Sequence, residues 1–197
     1  MKSLYGKLSI IALITLTPAA LLAQARSIVY GRTTVTFTPA FVQALASNGA
    51  TLTDLSQNPL QNGVNTLTAL EGVIDLQTSF SDVLFSGGYQ VTVAGQTIRV
   101  QDLAFEATTP TTSFISGIFI VNGMEIGGRQ PIFAVNARPT FTLPLQPQNG
   151  TITLSGLSLG LTPAFVNIVS TATGQAAFTP GTQVGTAEAY AVLSATN

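Results

Sequence analysis

Apolar and polar residues alternate along most of the chain after its first 25 positions, with Val, Ile, Thr, Phe and Tyr separated by Ser, Gln and Gly. A period of two places one set of side chains on each face of a strand, and turn residues interrupt it about every eight to twelve positions, the rhythm of an all-β domain. In YQVTVAGQTIRV, Tyr89, Val91 and Val93 share a face, and an Ala94-Gly95 turn sets Val91 opposite Ile98 and Tyr89 opposite Val100. The apolar parity then switches from Ile98 and Val100 to Leu103 and Phe105, which predicts a bulge near Gln101 and Asp102.

A second hairpin is written in FISGIFIVNGMEIGG, where Asn122-Gly123, the preferred type I′ pair, separates Phe119 and Val121 from Met124 and Ile126. Ile118 and Ile120 make the other face apolar too, so this hairpin is expected inside a sheet covered on both sides. Further on, TFTLPL and TITLSGLSLGL alternate again, with Pro144 fitting an edge or a strand end.

Two places leave this rhythm, and they do so in the same words. Thr38-Pro-Ala-Phe-Val42 recurs as Thr162-Pro-Ala-Phe-Val166, each time directly after an alternating strand. Thr followed by Pro is the arrangement of a helix N-cap with Pro at the first helical position. Phe41, Val42 and Leu45 then fall on one helical face with Gly49 as the stop; in the second copy Phe165, Val166 and Val169 do so, with Gly174 as the stop. Helices of about ten residues do not persist alone, so both must dock on the sheet. The repeat reads as a duplicated strand-helix unit, as two such units packed with pseudo-symmetry, or as one generic strand-to-helix exit used twice. Each of these is a structural role. The fold expected is mainly β, a β-sandwich or rolled antiparallel sheet with two short helices; α+β is the alternative.

The first residues change the picture of where the chain works. Lys2 and Lys7 precede an apolar run from Leu8 to Leu22, which ends in Ala23-Gln24-Ala25. This is the form of a secretory signal peptide, cleaved after Ala25 and leaving residues 26–197 as a single β-rich domain. No later run is apolar enough to span a bilayer as a helix, no Cys follows the signal for acylation, and the expected location is extracytoplasmic, periplasmic or secreted.

Composition then removes chemistries. The chain has no His and no Cys, so neither a Ser-His or Cys-His nucleophile pair nor a zinc or iron-sulfur site of the usual ligands can be built. After removal of the signal, Arg26, Arg32, Arg99, Arg129 and Arg138 face eight carboxylates, a balance that speaks against nucleic acid as a partner. Carboxylates remain: Asp102 and Glu106 lie four apart, Glu71 and Asp75 lie four apart, and Asp82 follows. Paired carboxyls are the route to acid/base work, and Asp54, Asp82 or Asp102 could contribute oxygens to calcium. Without Trp for sugar stacking and without a D-x-D-x-D-G loop, the reading is solvated charges at strand ends. No catalytic residue, metal set or cofactor is assigned.

The order of motifs also resembles a family of uncharacterised secreted bacterial β-rich domains. These open with T-V-T-h-x-P-A, carry a segment like FSGGYQVTVAGQTIRVQDLAFE, and close on F-T-P-G-T-x-V-G-T-A. The corresponding stretches here are Thr34 to Gly49, Phe85 to Glu106 and Leu157 to Ala187. What the resemblance implies is an association with cell-surface or haem-uptake modules. Among residues able to hold ferric haem, only Tyr is present in a usable form, which makes Tyr30, Tyr89 and Tyr190 the candidates. The reading preferred is a non-enzymatic binding or structural module with an unknown extracytoplasmic partner. A carrier of haem or a hydrophobic molecule is the alternative, and a carboxylate-dependent enzyme comes last. Three tyrosines around one open apolar pocket would favour the carrier.

Cleavage after Ala25 has a direct check: N-terminal sequencing of the exported protein should begin Arg26-Ser27, and a start displaced by more than a few residues would count against it.

Overall fold

The first strand and the last lie side by side, and that pairing organises everything between them. The computed structural model describes residues 25–109, 112–136, 142–174 and 178–195. Its elements run β1 (Ala25–Phe37), α1 (Pro39–Ser47), β2 (Ala50–Asp54), a single 3-10 turn (Gln61–Gly63), β3 (Val64–Asp75), β4 (Ser81–Ser86), β5 (Gly88–Val93), β6 (Gln96–Thr109), β7 (Thr112–Val121), β8 (Met124–Asn136), β9 (Thr151–Leu161), α2 (Pro163–Thr173) and β10 (Gln183–Leu193).

The sheet order is β2-β5-β6-β4-β3-β1-β10-β9-β8-β7, and β7 pairs back onto β6. Eight strands, β6-β4-β3-β1-β10-β9-β8-β7, therefore close into an antiparallel barrel, with β5 and β2 as an extension beside the first half of β6. The mainly β fold with two helices expected from the sequence is present, and the closed barrel is more specific than the sandwich or rolled sheet expected. Alternation alone specifies strands with one buried face. It does not say whether the last strand returns to the first, which is a non-local pairing.

The bulge predicted near Gln101 and Asp102 is what lets β6 serve so many neighbours. Gln96–Gln101 pair with β5, Ala104–Ala107 pair with β4, and the register against β7 shifts between Gln101 and Ala104. Asp102 takes φ 51°, in the left-handed region. Both predicted hairpins form with the expected partners, Val91 with Ile98, Tyr89 with Val100, Val121 with Met124 and Phe119 with Ile126. The second is not covered on both sides, however. Phe119 is fully buried, but Ile118 and Ile120 are half-buried on the outer wall and Met124 and Ile126 are exposed near the hairpin end. In TFTLPL, residues 140 and 141 lie outside the described residues, and Thr142 to Leu145 are irregular rather than strand. Leu145 instead plugs the barrel end with Ile74, Leu76, Ile152 and Leu193.

The repeated pentapeptide closes the opposite end. Thr38 and Thr162 are both N-caps, their Oγ1 atoms accepting from the N–H of Phe41 and Phe165 at 3.2 Å, and Gly49 and Gly174 follow the helices at φ 70° and 69°. Helix α1 rests on β2 and β10, and α2 on β8 and β6. Phe165, Val166 and Val169 are buried as expected, whereas Val42 is exposed, because α1 presents only the narrow Phe41 and Leu45 stripe to the sheet. Beneath the helices, rings run in contact from Phe178 to Phe41, Phe37, Phe133, Phe165 and Phe119, with centroids 5.4 to 6.2 Å apart. The V-G-T-A ending has a packing reason as well: a Cβ at Gly185 would run into the Thr36 carbonyl oxygen across the β1–β10 pairing.

The two caps are not equivalent. Thr162 is buried and its hydroxyl also donates to the Pro131 carbonyl, while the Thr38 side chain makes only the cap bond. In urea denaturation, Thr38→Val should cost about 1 kcal/mol, and Thr162→Val about 2 kcal/mol because the Pro131 carbonyl loses its partner too. Equal stability of both variants with the unaltered protein would contradict the cap assignments.

Candidate functional site

The barrel interior is the first place to look for a ligand, and it is full. Side chains from all eight barrel strands, among them Val83, Phe85, Phe105, Ile115, Leu157 and Ala187, leave a cavity of only about 60 Å³. Small-molecule sites need roughly 300–1,000 Å³. The aromatic layer under the helices leaves about 30 Å³ more.

The three candidate tyrosines do not meet around one pocket. Tyr89 lies in the core, its ring edge-on to Phe37 at 5.4 Å and to Phe133 at 6.3 Å. Its hydroxyl has no hydrogen-bond partner among the described residues. Burial pushes that phenol far up from the ordinary tyrosine range, with the nearby Asn65 side chain opposing in part, so it does not offer a phenolate.

Tyr30 and Tyr190 do come together, on the outside of the barrel. Along β1, Gly31, Thr33, Val35 and Phe37 point inward, which turns Tyr30, Arg32, Thr34 and Thr36 outward. Arg32 pairs with Tyr190 and Tyr30 with Val192 across β10. The two tyrosine rings meet edge to face at 6.4 Å, and the Arg32 guanidinium lies 6.0 Å over the Tyr190 ring.

Two bulges shape this part of the wall. The β1–β10 register shifts between Ile28 and Tyr30, leaving Val29 as the extra residue; the β3–β4 register shifts between Ala69 and Glu71, leaving Leu70 as the extra residue. Both side chains are thrust outward, Val29 at 70% exposure and Leu70 at 68%, with Tyr30 at 50% between them. The pairings Ser27–Val73 and Arg32–Thr68 on either side bring Leu70 to the level of Tyr30. Val73 and Phe80, also exposed, continue the apolar surface along β3 and into the turn before β4. On the other flank, Thr153 and Thr151 pair with Tyr190 and Val192 and line a trough of about 430 Å³ under the 142–148 segment. Bulges re-aim side chains, and a contiguous exposed apolar patch marks an interaction surface. The sequence reading named Tyr30 and Tyr190 but missed Val29 and Leu70. The available signals were the unbroken Ile28-Val29-Tyr30 run and Leu70 standing where a polar residue was due.

The carboxylates read as solvated charges at strand ends are spread over several elements. Asp102 sits exposed in the β6 bulge, its carbonyl accepting from Arg129. Glu106 is half-buried, its Oε1 accepting from the buried Ser116 hydroxyl at 2.7 Å, and its cross-strand partner is Asp82. Asp75 caps its own turn through the N–H groups of Gln77 and Thr78. Glu71 pairs with Leu84 beside the Leu70 bulge. Asp54 accepts from both the side chain and the backbone of Asn58, bonds that hold its carboxyl below the usual range. Among the described residues no three acids gather to hold a metal ion.

No family model and no curated protein matches the sequence. Solved structures do. The C-terminal domain of HtaA from Corynebacterium glutamicum matches with a TM-score of 0.61 at 14% identity, over 86% of this chain and 99% of that one. The N-terminal domain of the same protein gives 0.61 at 12% identity, over 85% and 99%. A domain-swapped dimer of a histidine-to-alanine variant of the C-terminal domain gives 0.53 at 16% identity, over 79% and 91%. The chain shares the fold of the HtaA domains. At these identities the likeness is one of fold, and its residues must speak for the site.

Tyr89 separates a core tyrosine from a functional one. Since its buried hydroxyl makes no hydrogen bond of good geometry and has the Asn65 side chain beside it, Tyr89→Phe should cost no stability and raise it by up to about 1 kcal/mol in denaturant unfolding. A loss of comparable size would show that the hydroxyl is engaged.

Proposed function

We propose that the protein is a non-enzymatic binding module of the extracytoplasmic space that takes haem, or a flat apolar molecule like it, on the outer wall of the barrel where β10, β1 and β3 run together. The observation that carries this reading is the pair of adjacent bulges that thrust Val29 and Leu70 out on either side of Tyr30, next to the Tyr190 ring. A structural module would gain nothing from holding large apolar side chains in water there, and the filled interior leaves the wall as the surface on which a ligand can sit. Likeness to the HtaA fold, the motif order and the signal-like N-terminus support the same reading.

The donor set fits such a ligand. Neither His nor Cys exists to hold iron, and Tyr30 is the accessible phenol with apolar side chains on both flanks. Haem, when bound, would supply a ferric centre able to take a phenolate oxygen. Tyr30 would hold it through that oxygen, Val29 and Leu70 would give apolar contact, and the Tyr190 ring would flank it.

Titration of the purified protein with hemin should shift the Soret band and saturate at about one equivalent, and Tyr30→Phe should weaken binding by about tenfold or more with circular dichroism unchanged. Tyr89→Phe should bind as the unaltered protein does. An unshifted hemin spectrum, or full affinity in Tyr30→Phe, would defeat the proposal.

A further inference from the structure

We infer that Arg32 reads an acidic group on the edge of the ligand, so that this face selects flat apolar molecules bearing a carboxylate over their neutral counterparts. The inference rests on the outer-wall reading above and adds the chemical class of what is chosen there.

Arg32 stands apart from the other described arginines. Arg26 donates to the Ser194 carbonyl at 2.9 Å, Arg99 to the Leu55 carbonyl at 3.4 Å, and Arg129 to the Asp102 carbonyl. Each of these three is tied to backbone and serves the fold. Arg32 is exposed, donates no hydrogen bond and has no ion pair among the described residues; its single contact of note is the Tyr190 ring. Two exposed carboxylates, Glu71 and Glu188, flank the face around it, and neither forms an ion pair with Arg32. Its cross-strand partners are Thr68 and Tyr190, the next outward residues along its own strand are Tyr30 and Thr34, and the two carboxylates of that neighbourhood are Glu188, across from Thr34, and Glu71, beside Leu70 on the far side of Tyr30.

An arginine over an aromatic ring is partly ordered before any ligand arrives, because the ring face attracts the cation and limits its rotamers. Its planar fork remains free to take a carboxylate through two parallel N–H donors. Ordering in advance lowers the entropy that binding must overcome. Tyr30 lies two residues away on the same face of the same strand, so a ligand covering Tyr30 places an edge at Arg32, about 7 Å along the wall at the rise of a β-strand. On the Leu70 and Val29 side of Tyr30 the described residues place the Glu71 carboxylate, and Arg26 there is tied to the Ser194 carbonyl, which gives the bound molecule one acidic and one apolar end.

The decisive comparison uses iron-free protoporphyrin IX and its dimethyl ester, which share ring and shape and differ in charge, so the outcome does not depend on ligation by Tyr30. Fluorescence titration of the full protein should show the free acid binding about tenfold tighter than the ester. In Arg32→Gln the free acid should fall to the ester's affinity while the ester is unchanged, and Arg32→Lys should recover part of the difference. Added salt should weaken the free acid in the unaltered protein but not in Arg32→Gln. Equal affinity of acid and ester in the unaltered protein overturns the inference, as does an equal loss for both ligands in Arg32→Gln, which would mark the residue as packing. Binding of neither porphyrin would sink the outer-wall reading along with it. Failure of Tyr30→Phe to affect hemin would remove the phenolate and leave the acid preference standing.

Discussion

Closure of the barrel rests on β6, because one strand has to hold three neighbours. Its first half lies between β5 and β7 and its second half between β4 and β7, and the change of partner is made at the Asp102 bulge. A straight strand of fourteen residues would carry one neighbour on each side throughout. The bulge bends and twists the strand so that its far half turns into the barrel while the near half builds the extension with β2 and β5. That bend, together with the direct pairing of β1 with β10, encloses the volume that the inward residues must fill.

Filling that volume decides where function can reside. In an eight-stranded barrel the interior is just wide enough for side chains, and here Phe85, Phe105, Ile115 and Leu157 occupy it to within about 60 Å³. The aromatic layer under α1 and α2 seals one end and the Leu145 cluster seals the other. The proposed binding face is accordingly an outward one, on positions that solvent would normally claim for Thr, Ser and Gln. Much of the wall does follow that rule, with Thr34, Thr36, Thr66, Thr68 and Thr186 on its outer side. The stretch around Tyr30 departs from it, and it departs by bulging, which changes the direction of Val29 and Leu70 without disturbing the inward residues before and after them.

What could be read in the sequence was local. Each hairpin was visible because its turn pair and its alternation lie within about a dozen residues, and each helix because Thr-Pro, an apolar stripe and a Gly stop are contiguous. The β6 bulge was visible as a change of parity between Val100 and Leu103. Closure was not, since β1 and β10 lie at opposite ends of the chain and nothing in either strand names its partner. The site was legible in part for the same reason. Tyr30 and Tyr190 stood out as chemistry, but 160 positions separate them, and only the pairing of Arg32 with Tyr190 joins them. The Asp102 and Glu106 spacing by itself said little about which acids are neighbours. Four residues apart suits a helix, whereas in a strand broken by a bulge the cross-strand neighbour matters, and for Glu106 that is Asp82.

One strand links the helix-covered end of the barrel to the Tyr30 stretch of its wall. β1 runs from Val29 and Tyr30 through Arg32 to Val35 and Phe37, and then directly into the Thr38 cap of α1. Val35 and Phe37 are held in the core, Phe37 by contacts with Phe41, Tyr89 and Phe133. Because side chains alternate with a period of two, fixing those two inward also fixes Arg32 outward, and a slip of one residue would bury a guanidinium and expose a phenylalanine. The core thus sets the side on which the face is displayed, while the bulge at Val29 decides how the Tyr30 end of the strand is presented. Packing beneath the helices and the outward display of Tyr30 and Arg32 are consequences of a single register.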